Sequence, residues 1–160
     1  MDSPRFICDA MLGSLARWLR LRGFDTLYSR TISDSELINI ARREDRIVLT
    51  RDTGIPERKG PQRTVLIHSN DTFGQLKEVL SALDKVETGG GSPRCTLCNG
   101  KLAPADRDAV ARSVPEYVFM NATSFFTCVE CGKVYWNGSH KKSIDSQLQK
   151  ILGENVTREP

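Results

Sequence analysis

Two Cys-x-x-Cys pairs constrain the fold of this chain more than any other feature of its sequence. They are Cys95 and Cys98 in "CTLC" and Cys128 and Cys131 in "CVEC". A two-residue spacer lets a tight turn direct two thiolates at one ion, so two such turns complete a tetrahedral four-cysteine zinc site. No coordination position remains open in such a set, which predicts a structural zinc on which a small zinc ribbon depends for folding.

The stretch between the pairs includes "YVFMNATSFFT", which we expect to supply a strand of the ribbon. A redox role for the Cys-x-x-Cys pairs is the competing interpretation. The fifth cysteine, Cys8, stands in an apolar run and is expected to be a small buried hydrophobic residue.

The segment "VETGGGSPR" marks the one obvious domain boundary, because three glycines followed by Ser-Pro cannot continue a helix. We therefore predict a first domain over residues 1–88, a Gly-rich linker over 89–94, the zinc ribbon over 95–142, and a C-terminal helix and tail over 143–160.

The first domain alternates between strand-like and helix-like segments. Apolar residues recur at helical spacing in "GSLARWLRLRG", "SDSELINIARRED" and "FGQLKEVLSAL", while "RFICDA", "FDTLYSR", "RIVLT" and "TVLIH" have the pattern of short strands. The resulting order β-α-β-α-β-β-α predicts an α/β fold, with a mostly parallel sheet flanked by helices.

Acidic residues follow the predicted strands. Asp9 comes after "FIC", Asp52 after "IVLT" and Asp71 just past "VLIHS", while Asp34 opens the second helix. Ligands bind where parallel strands end, and carboxylates gathered there would repel one another unless a divalent cation such as Mg²⁺ or Mn²⁺ lay between them. We therefore expect Asp52 to lie within hydrogen-bonding or shared-metal range of Asp9.

Each acid also has a purely structural explanation. Asp is common in turns after strands and at the first residues of helices, and "HSNDTF" around Asp71 resembles a helix cap. Other acid-based classes fit poorly: the residue two positions after Asp9 is Met11, where a haloacid-dehalogenase-type phosphatase needs a second Asp. The adjacent acidic pair and the strand-end Lys of a response-regulator receiver are missing, and there is no Walker or G-x-G-x-x-G loop.

Basic and aromatic residues provide candidate contacts with phosphates and nucleotide bases. Arg17 and Arg20 lie three apart on the first helix, and Arg51 precedes Asp52. After the second cysteine pair, "VYWNGSHKK" combines Tyr135, Trp136 and His140 with Lys141 and Lys142. Such side chains can bind phosphates or stack on bases, although each arginine or lysine is also explained as a solvated surface group and each aromatic residue, Trp18 included, as part of a core.

The bulk composition is that of an ordinary globular protein. The formal net charge is +3, from 23 basic and 20 acidic residues, which permits a nucleic-acid partner without requiring one. No run is long and apolar enough for a membrane span, and the first residues lack a signal pattern, so we expect a cytoplasmic protein with no membrane partner.

Four stretches together resemble one family: "FICDAMLGSLARWLRLRGFDTLY", "SELINIARREDRIVLTRD", "RCTLCNGKL" and "CVECGKVYWNGSH". It is the PIN-like ribonuclease domain with a C-terminal zinc ribbon, the Mut-seven C-terminal RNase domain family. The resemblance implies a PIN-like fold and metal-dependent cleavage of RNA, with Asp9, Asp34 and Asp52 matching the family's acids. Asp71 is the nearest candidate for a fourth acid.

The expected function is therefore a metal-dependent ribonuclease, endonucleolytic in mode, with Mg²⁺ or Mn²⁺ at the acids and a structural zinc ribbon that aids RNA binding. The alternative is a non-catalytic RNA- or ribosome-binding module that retains the fold. A nuclease held in check by a regulatory protein partner is a third possibility. Nothing in the sequence selects tRNA, rRNA or mRNA as the substrate.

Overall fold

The computed structural model describes residues 3–56, 63–83 and 91–137. The chain divides into two compact units, Met1–Asn99 and Gly100–Pro160. The predicted C-terminal helix over 143–160 lies outside the described residues, as do His140, Lys141 and Lys142. Within the described residues, no helix is long and apolar enough to cross a membrane.

The first unit is a four-stranded parallel sheet with helices on both faces. Its elements are β1 (Phe6–Cys8), α1 (Gly13–Leu21), β2 (Thr26–Tyr28), α2 (Asp34–Glu44), β3 (Ile47–Thr50), β4 (Thr64–Leu66) and α3 (Thr72–Ala82). The strands lie in the order β2-β1-β3-β4, and every neighbouring pair is parallel. This is the α/β architecture, a parallel sheet flanked by helices, that the sequence predicts.

The two faces of the sheet are covered by different helices. Ile7 and Val48, from the two central strands, pack in one apolar cluster with Leu37, Ile38 and Ala41 of α2. Successive side chains of a strand point to opposite faces, so the neighbours of Ile7 in β1 face the other way. On that side α1 contacts α3.

Local sequence signals explain where the second helix begins and ends. Ser33 and Glu36 form a capping box, in which the Ser33 hydroxyl accepts the Glu36 N–H and the Glu36 carboxylate accepts the Ser33 N–H at 3.0 Å. These bonds from Ser33 hold the pKa of Glu36 below its usual value. The helix ends at Glu44, and Asp45 at its C-cap has a left-handed conformation with φ 52°.

The second unit is a three-stranded antiparallel sheet with two short helices. Its elements are β5 (Leu102–Ala105), α4 (Arg107–Val110), α5 (Glu116–Asn121), β6 (Phe125–Cys128) and β7 (Val134–Trp136), and the strand order is β5-β6-β7. Phe125 packs with Val110, Val114 and Ala122 in a small apolar core.

One sequence expectation holds only in part in this unit. The pattern of "YVFMNATSFFT" favours a strand, but its first five residues belong to the helix α5, and the strand β6 starts only at Phe125. Pro115 at the N-cap has φ −59°, which suits the start of a helix. In the helix, Val118 and Phe119 pack against the small apolar core.

Candidate functional site

The sulfur atoms of the four paired cysteines form a cluster. The Sγ atoms of Cys95, Cys98, Cys128 and Cys131 all lie within 4.8 Å of one another. A tetrahedral ion with Zn–S bonds of about 2.3 Å would hold its sulfurs roughly 3.8 Å apart, so these residues fit a four-cysteine zinc site with little adjustment. Each pair contributes one buried cysteine, Cys95 or Cys128, and one exposed cysteine.

The backbone of the second cysteine turn is shaped for this cluster. Gly132 has φ 79°, and its N–H donates to the Cys128 carbonyl at 3.0 Å. The Glu130 N–H donates to the Cys128 sulfur at 3.4 Å, as expected for a thiolate ligand. A Cβ at Gly100 would lie 2.7 Å from the same sulfur, so only glycine fits there. The four-cysteine cluster and the three-stranded sheet fit the predicted zinc ribbon.

The first cysteine turn is fixed to the parallel sheet of its own unit by Asn99. This residue is buried and left-handed with φ 69°, and its N–H donates to the Cys95 carbonyl at 2.9 Å. Its side-chain oxygen accepts the Thr26 N–H at 3.0 Å, and its side-chain nitrogen donates to the Asp25 carboxylate at 2.7 Å. Asn99 therefore satisfies a buried backbone donor at the start of β2.

The carboxylate of Asp25 also receives the Arg46 guanidinium. The Arg46 Nη1 lies 2.8 Å from Asp25 Oδ1. Partial burial opposes ionisation of Asp25, but the hydrogen bonds from Arg46 and Asn99 outweigh it and hold the pKa of Asp25 below its usual value.

Arg20, predicted to bind RNA phosphates, has a structural role instead. It is 5% exposed, its Nε donates to the Thr26 carbonyl at 2.9 Å, and its Nη1 donates to the Thr96 carbonyl at 2.8 Å. Helical spacing correctly places Arg20 near Arg17, but these backbone carbonyls hold its guanidinium inside the unit.

Asp9 lies at the edge where the parallel strands end, which we call the carboxyl edge. The Asp9 N–H donates to the Leu49 carbonyl at 3.0 Å, so the residue continues the pairing of β1 with β3. Asp9 is 7% exposed, its Oδ1 accepts the Met11 N–H at 2.9 Å, and its Oδ2 accepts the Thr50 hydroxyl at 2.6 Å. Each carboxylate oxygen thus keeps a further lone pair for another partner.

The burial of Asp9 has a chemical consequence. A buried carboxylate is costly unless a cation or hydrogen bonds compensate its charge. In the part of the chain that the structure describes, the ion pairs found do not include Asp9. A divalent cation at the carboxyl edge would add to the compensation that the hydrogen bonds from Met11 and Thr50 provide, and oxygen ligands of this kind suit Mg²⁺ or Mn²⁺.

Asp52 is connected to Asp9 through Thr50. The Thr50 hydroxyl donates to Asp9 and at the same time accepts the Asp52 N–H at 3.0 Å. The Asp52 carboxylate accepts the Gly54 N–H at 2.8 Å and is exposed. The link between the two acids therefore runs through one buried hydroxyl, with no direct hydrogen bond between their carboxylates.

The turn that follows Asp9 is held by Tyr28. The Tyr28 hydroxyl donates to the Ala10 carbonyl at 2.9 Å, and the Leu12 N–H donates to the Asp9 carbonyl at 3.1 Å. A Cβ at Gly13 would lie 2.8 Å from the Tyr28 hydroxyl oxygen, so α1 begins with the one residue that lets Tyr28 approach.

The other two predicted acids have distinct positions. Asp34 is the first residue of α2 and is half-buried. Asp71 is the N-cap of α3, where its carboxylate accepts the Gly74 N–H at 2.8 Å, so it serves as the helix cap that its surrounding sequence suggests.

Across residues 3–56, 63–83 and 91–137, the cysteine cluster is the single group of three or more His, Cys, Asp or Glu side chains gathered closely enough for one ion. The structure therefore links Asp9 to Asp52 but does not gather Asp9, Asp34 and Asp52 around one point.

The remaining predicted RNA contacts differ in exposure. Arg17 is exposed on α1, and Arg51 is half-buried with its Nη2 donating to Asn70 at 2.6 Å. In the second unit, Lys133 lies 5.1 Å from the centre of the Tyr135 ring, and Trp136 is exposed at the end of β7.

Cys8 behaves as a core residue. Its side chain is fully buried, and burial, followed by the negative charge of Asp9, raises the pKa of its thiol. It therefore stays neutral beside the acidic edge.

Sequence reasoning missed two residues that hold the site together. Thr50 ends a buried strand and looks like an ordinary β-branched residue, although a hydroxyl two positions before Asp52 is a signal that could have been used. Asn99 directly follows Cys98, where a left-handed turn residue is common, but its bonds to β2 depend on tertiary contacts.

Of the comparisons with known proteins, one with protein families gives a match. No curated protein and no solved structure is significantly similar to the chain. The family model described as the Mut7-C RNAse domain matches residues 4–148, which include the acidic carboxyl edge and all four paired cysteines. The chain therefore belongs to the Mut7-C RNAse domain family.

Proposed function

We propose that the protein is a metal-dependent ribonuclease that hydrolyses internal phosphodiester bonds of RNA at the carboxyl edge of its parallel sheet. Its family is an RNase domain family, which supports ribonuclease-type activity in general. The observation that carries the proposal is Asp9, a buried carboxylate at the end of a central strand, held by Thr50 and Met11 and linked to Asp52.

Asp9 and Asp52 would hold Mg²⁺ or Mn²⁺, with Asp34 as a further acid from the start of α2. Such a cation activates a water molecule and stabilises the charge that develops on the phosphate. Mg²⁺ usually keeps several water ligands and needs only one or two carboxylates, which agrees with acids that are not gathered into one tight group.

The protein's own residues would orient these groups. The Thr50 hydroxyl and the Met11 N–H fix both oxygens of Asp9, so the carboxylate does not have to reorganise when a cation binds. Arg17 and Arg51 would contact phosphates of the RNA beside the acids. The guanidinium of Arg51 donates to Asn70, so a phosphate would have to replace Asn70 as its hydrogen-bond acceptor. Arg20 is left out of the proposal because its guanidinium is buried, and Asp71 because it caps α3.

Zinc at the cysteine cluster would have a structural role, and Lys141 and Lys142 would add contacts with RNA. These two lysines lie outside the described residues, so their part in RNA binding stays a prediction.

A cleavage assay tests this proposal. Zinc-loaded protein, with no chelator present, is given labelled single-stranded, structured and circular RNAs, and Mg²⁺ or Mn²⁺ is then added. We expect cleavage to start with the added cation, and circular RNA to be cut as well, because an internal cut needs no free end. Asp52→Asn should abolish cleavage without lowering the melting temperature.

Asp45→Asn is the matched control. Asp45 is an exposed acid with a left-handed backbone, a conformation that Asn adopts readily, so this variant should cleave like the wild type. Equal cleavage by the Asp45→Asn and Asp52→Asn proteins would refute the proposal. RNA that is bound but left intact by the wild type would favour the non-catalytic RNA-binding module.

A further inference from the structure

Two aromatic rings contact each other where α1 meets α3. The ring centroids of Trp18 and Phe73 lie 5.0 Å apart, with an angle of 58° between the ring planes. Neither residue belongs to the buried set of its own helix, and both side chains are half-buried. The pair therefore keeps part of its aromatic surface open to solvent.

The position of this pair connects it to the proposed cleavage site. Phe73 is the second residue of α3, three residues after Asn70, which accepts the hydrogen bond from Arg51. Arg51 in turn precedes Asp52. The ring of Phe73 therefore lies in the first turn of a helix that starts at the carboxyl edge.

Trp18 reaches toward the same edge from α1. This helix begins at Gly13, four residues after Asp9, and long side chains in a helix point back toward its N-terminus. The contact with Phe73 is what this direction predicts, because Phe73 lies at the N-terminal end of α3.

An exposed cation accompanies the two rings. Lys77 follows Phe73 by four residues on α3, a spacing that places it beside Phe73 on the helix surface. A partly open aromatic pair with a basic neighbour matches a strand whose bases can stack and whose phosphates are negative.

We propose that Trp18 and Phe73 form a stacking surface for an unpaired base of single-stranded RNA next to the cleavage site. This inference rests on the proposed function and specifies its substrate: RNA with unpaired nucleotides beside the bond that is cut. Stacking on aromatic side chains tolerates any base, so the surface would select unpaired over duplex RNA without selecting a sequence.

Fluorescence of Trp18 gives a direct test. The chain has two tryptophans, so Trp136→Phe leaves Trp18 as the only tryptophan, which can be excited at wavelengths that the three tyrosines do not absorb. This variant is titrated with a short single-stranded oligoadenylate, and separately with duplex RNA, with no Mg²⁺ or Mn²⁺ added so that the RNA stays intact. We expect the single strand to quench Trp18 and the duplex to leave its emission nearly unchanged.

Substitutions separate stacking from simple helix packing. Trp18→Phe keeps an aromatic ring, whereas Trp18→Leu and Phe73→Leu keep only apolar volume. We expect the two leucine variants to bind the oligoadenylate about tenfold more weakly, because they lose an aromatic ring on which a base can stack, and Trp18→Phe to retain most of the affinity. Melting temperatures of all three variants show whether packing has been disturbed.

Folded leucine variants that bind as tightly as Trp18→Phe would overturn the inference, and so would the absence of any Trp18 quenching. The same experiments distinguish this inference from the proposed function. If the wild type cleaves RNA but its binding does not depend on Trp18, only the stacking surface is refuted. If binding depends on Trp18 but no RNA is cleaved, only the ribonuclease activity is refuted.

Discussion

Replacing Thr50 with Val should weaken both the fold and the proposed active site. Thr50 is 0% exposed, and Val has nearly the same shape, so the change removes the hydroxyl without opening a large cavity. The hydroxyl donates to the Asp9 carboxylate at 2.6 Å and accepts the Asp52 N–H at 3.0 Å. The bond to a charged acceptor is worth about 1.5–3 kcal/mol and the second about 1 kcal/mol, which gives a loss of about 2.5–4 kcal/mol in the free energy of unfolding.

Thr50→Ser is the matched control because it keeps the hydroxyl and removes one methyl group, at a cost of about 1 kcal/mol. Urea unfolding followed by circular dichroism compares the two variants. The affinity for Mn²⁺ provides a second measurement that a purely structural role would not change: Thr50→Val should bind Mn²⁺ more weakly, because Asp9 is no longer fixed. If Thr50→Val is as stable as Thr50→Ser and binds Mn²⁺ equally well, the reasoning from the shared hydroxyl is refuted.

Three further predictions concern the other polar sites. Asn99→Gly should lower the free energy of unfolding by about 1–3 kcal/mol in urea titrations, because it keeps the left-handed turn but leaves the buried Thr26 N–H without its acceptor. The lowered pKa of Asp25 stabilises the fold above the ordinary Asp pKa of about 3.9, and this stabilisation is lost as the pH falls through the lowered value. Asp25→Asn should therefore be less stable than the wild type at neutral pH and lose less stability on acidification, measured as melting temperature against pH. Cys128→Ser should prevent binding of the zinc that the wild type takes up, measured by metal analysis of the purified protein.

The sequence predicts those parts of the structure that depend on periodicity and spacing. Alternating strand and helix patterns predict the parallel sheet, because short β-branched runs such as Ile47–Thr50 and helices with one apolar stripe leave few other arrangements. The Cys-x-x-Cys spacing likewise predicts the cysteine cluster, because the ligand geometry of zinc allows little else.

The errors arise where a side chain's partner is distant in the chain. Arg20 lies three residues after Arg17, a spacing typical of surface cations on one side of a helix. Its guanidinium nevertheless donates to the carbonyl of Thr96, 76 positions away, and no local pattern encodes that contact. The helix Glu116–Asn121 has residues that also suit a strand, and packing against the small core decides its conformation. Asp71 fits both a ligand and a cap by sequence, and its bond to Gly74 identifies the cap.

The most direct test of the account is a titration of the zinc-loaded protein with Mn²⁺, followed by electron paramagnetic resonance of the free ion. With the thiolates already occupied by zinc, added Mn²⁺ should bind at oxygen ligands. We predict that the wild type and Asp45→Asn bind Mn²⁺ alike, and that Asp9→Asn, which retains an oxygen for the Thr50 hydroxyl, loses this binding while remaining folded. Unchanged Mn²⁺ binding by a folded Asp9→Asn protein would contradict a cation site at the carboxyl edge.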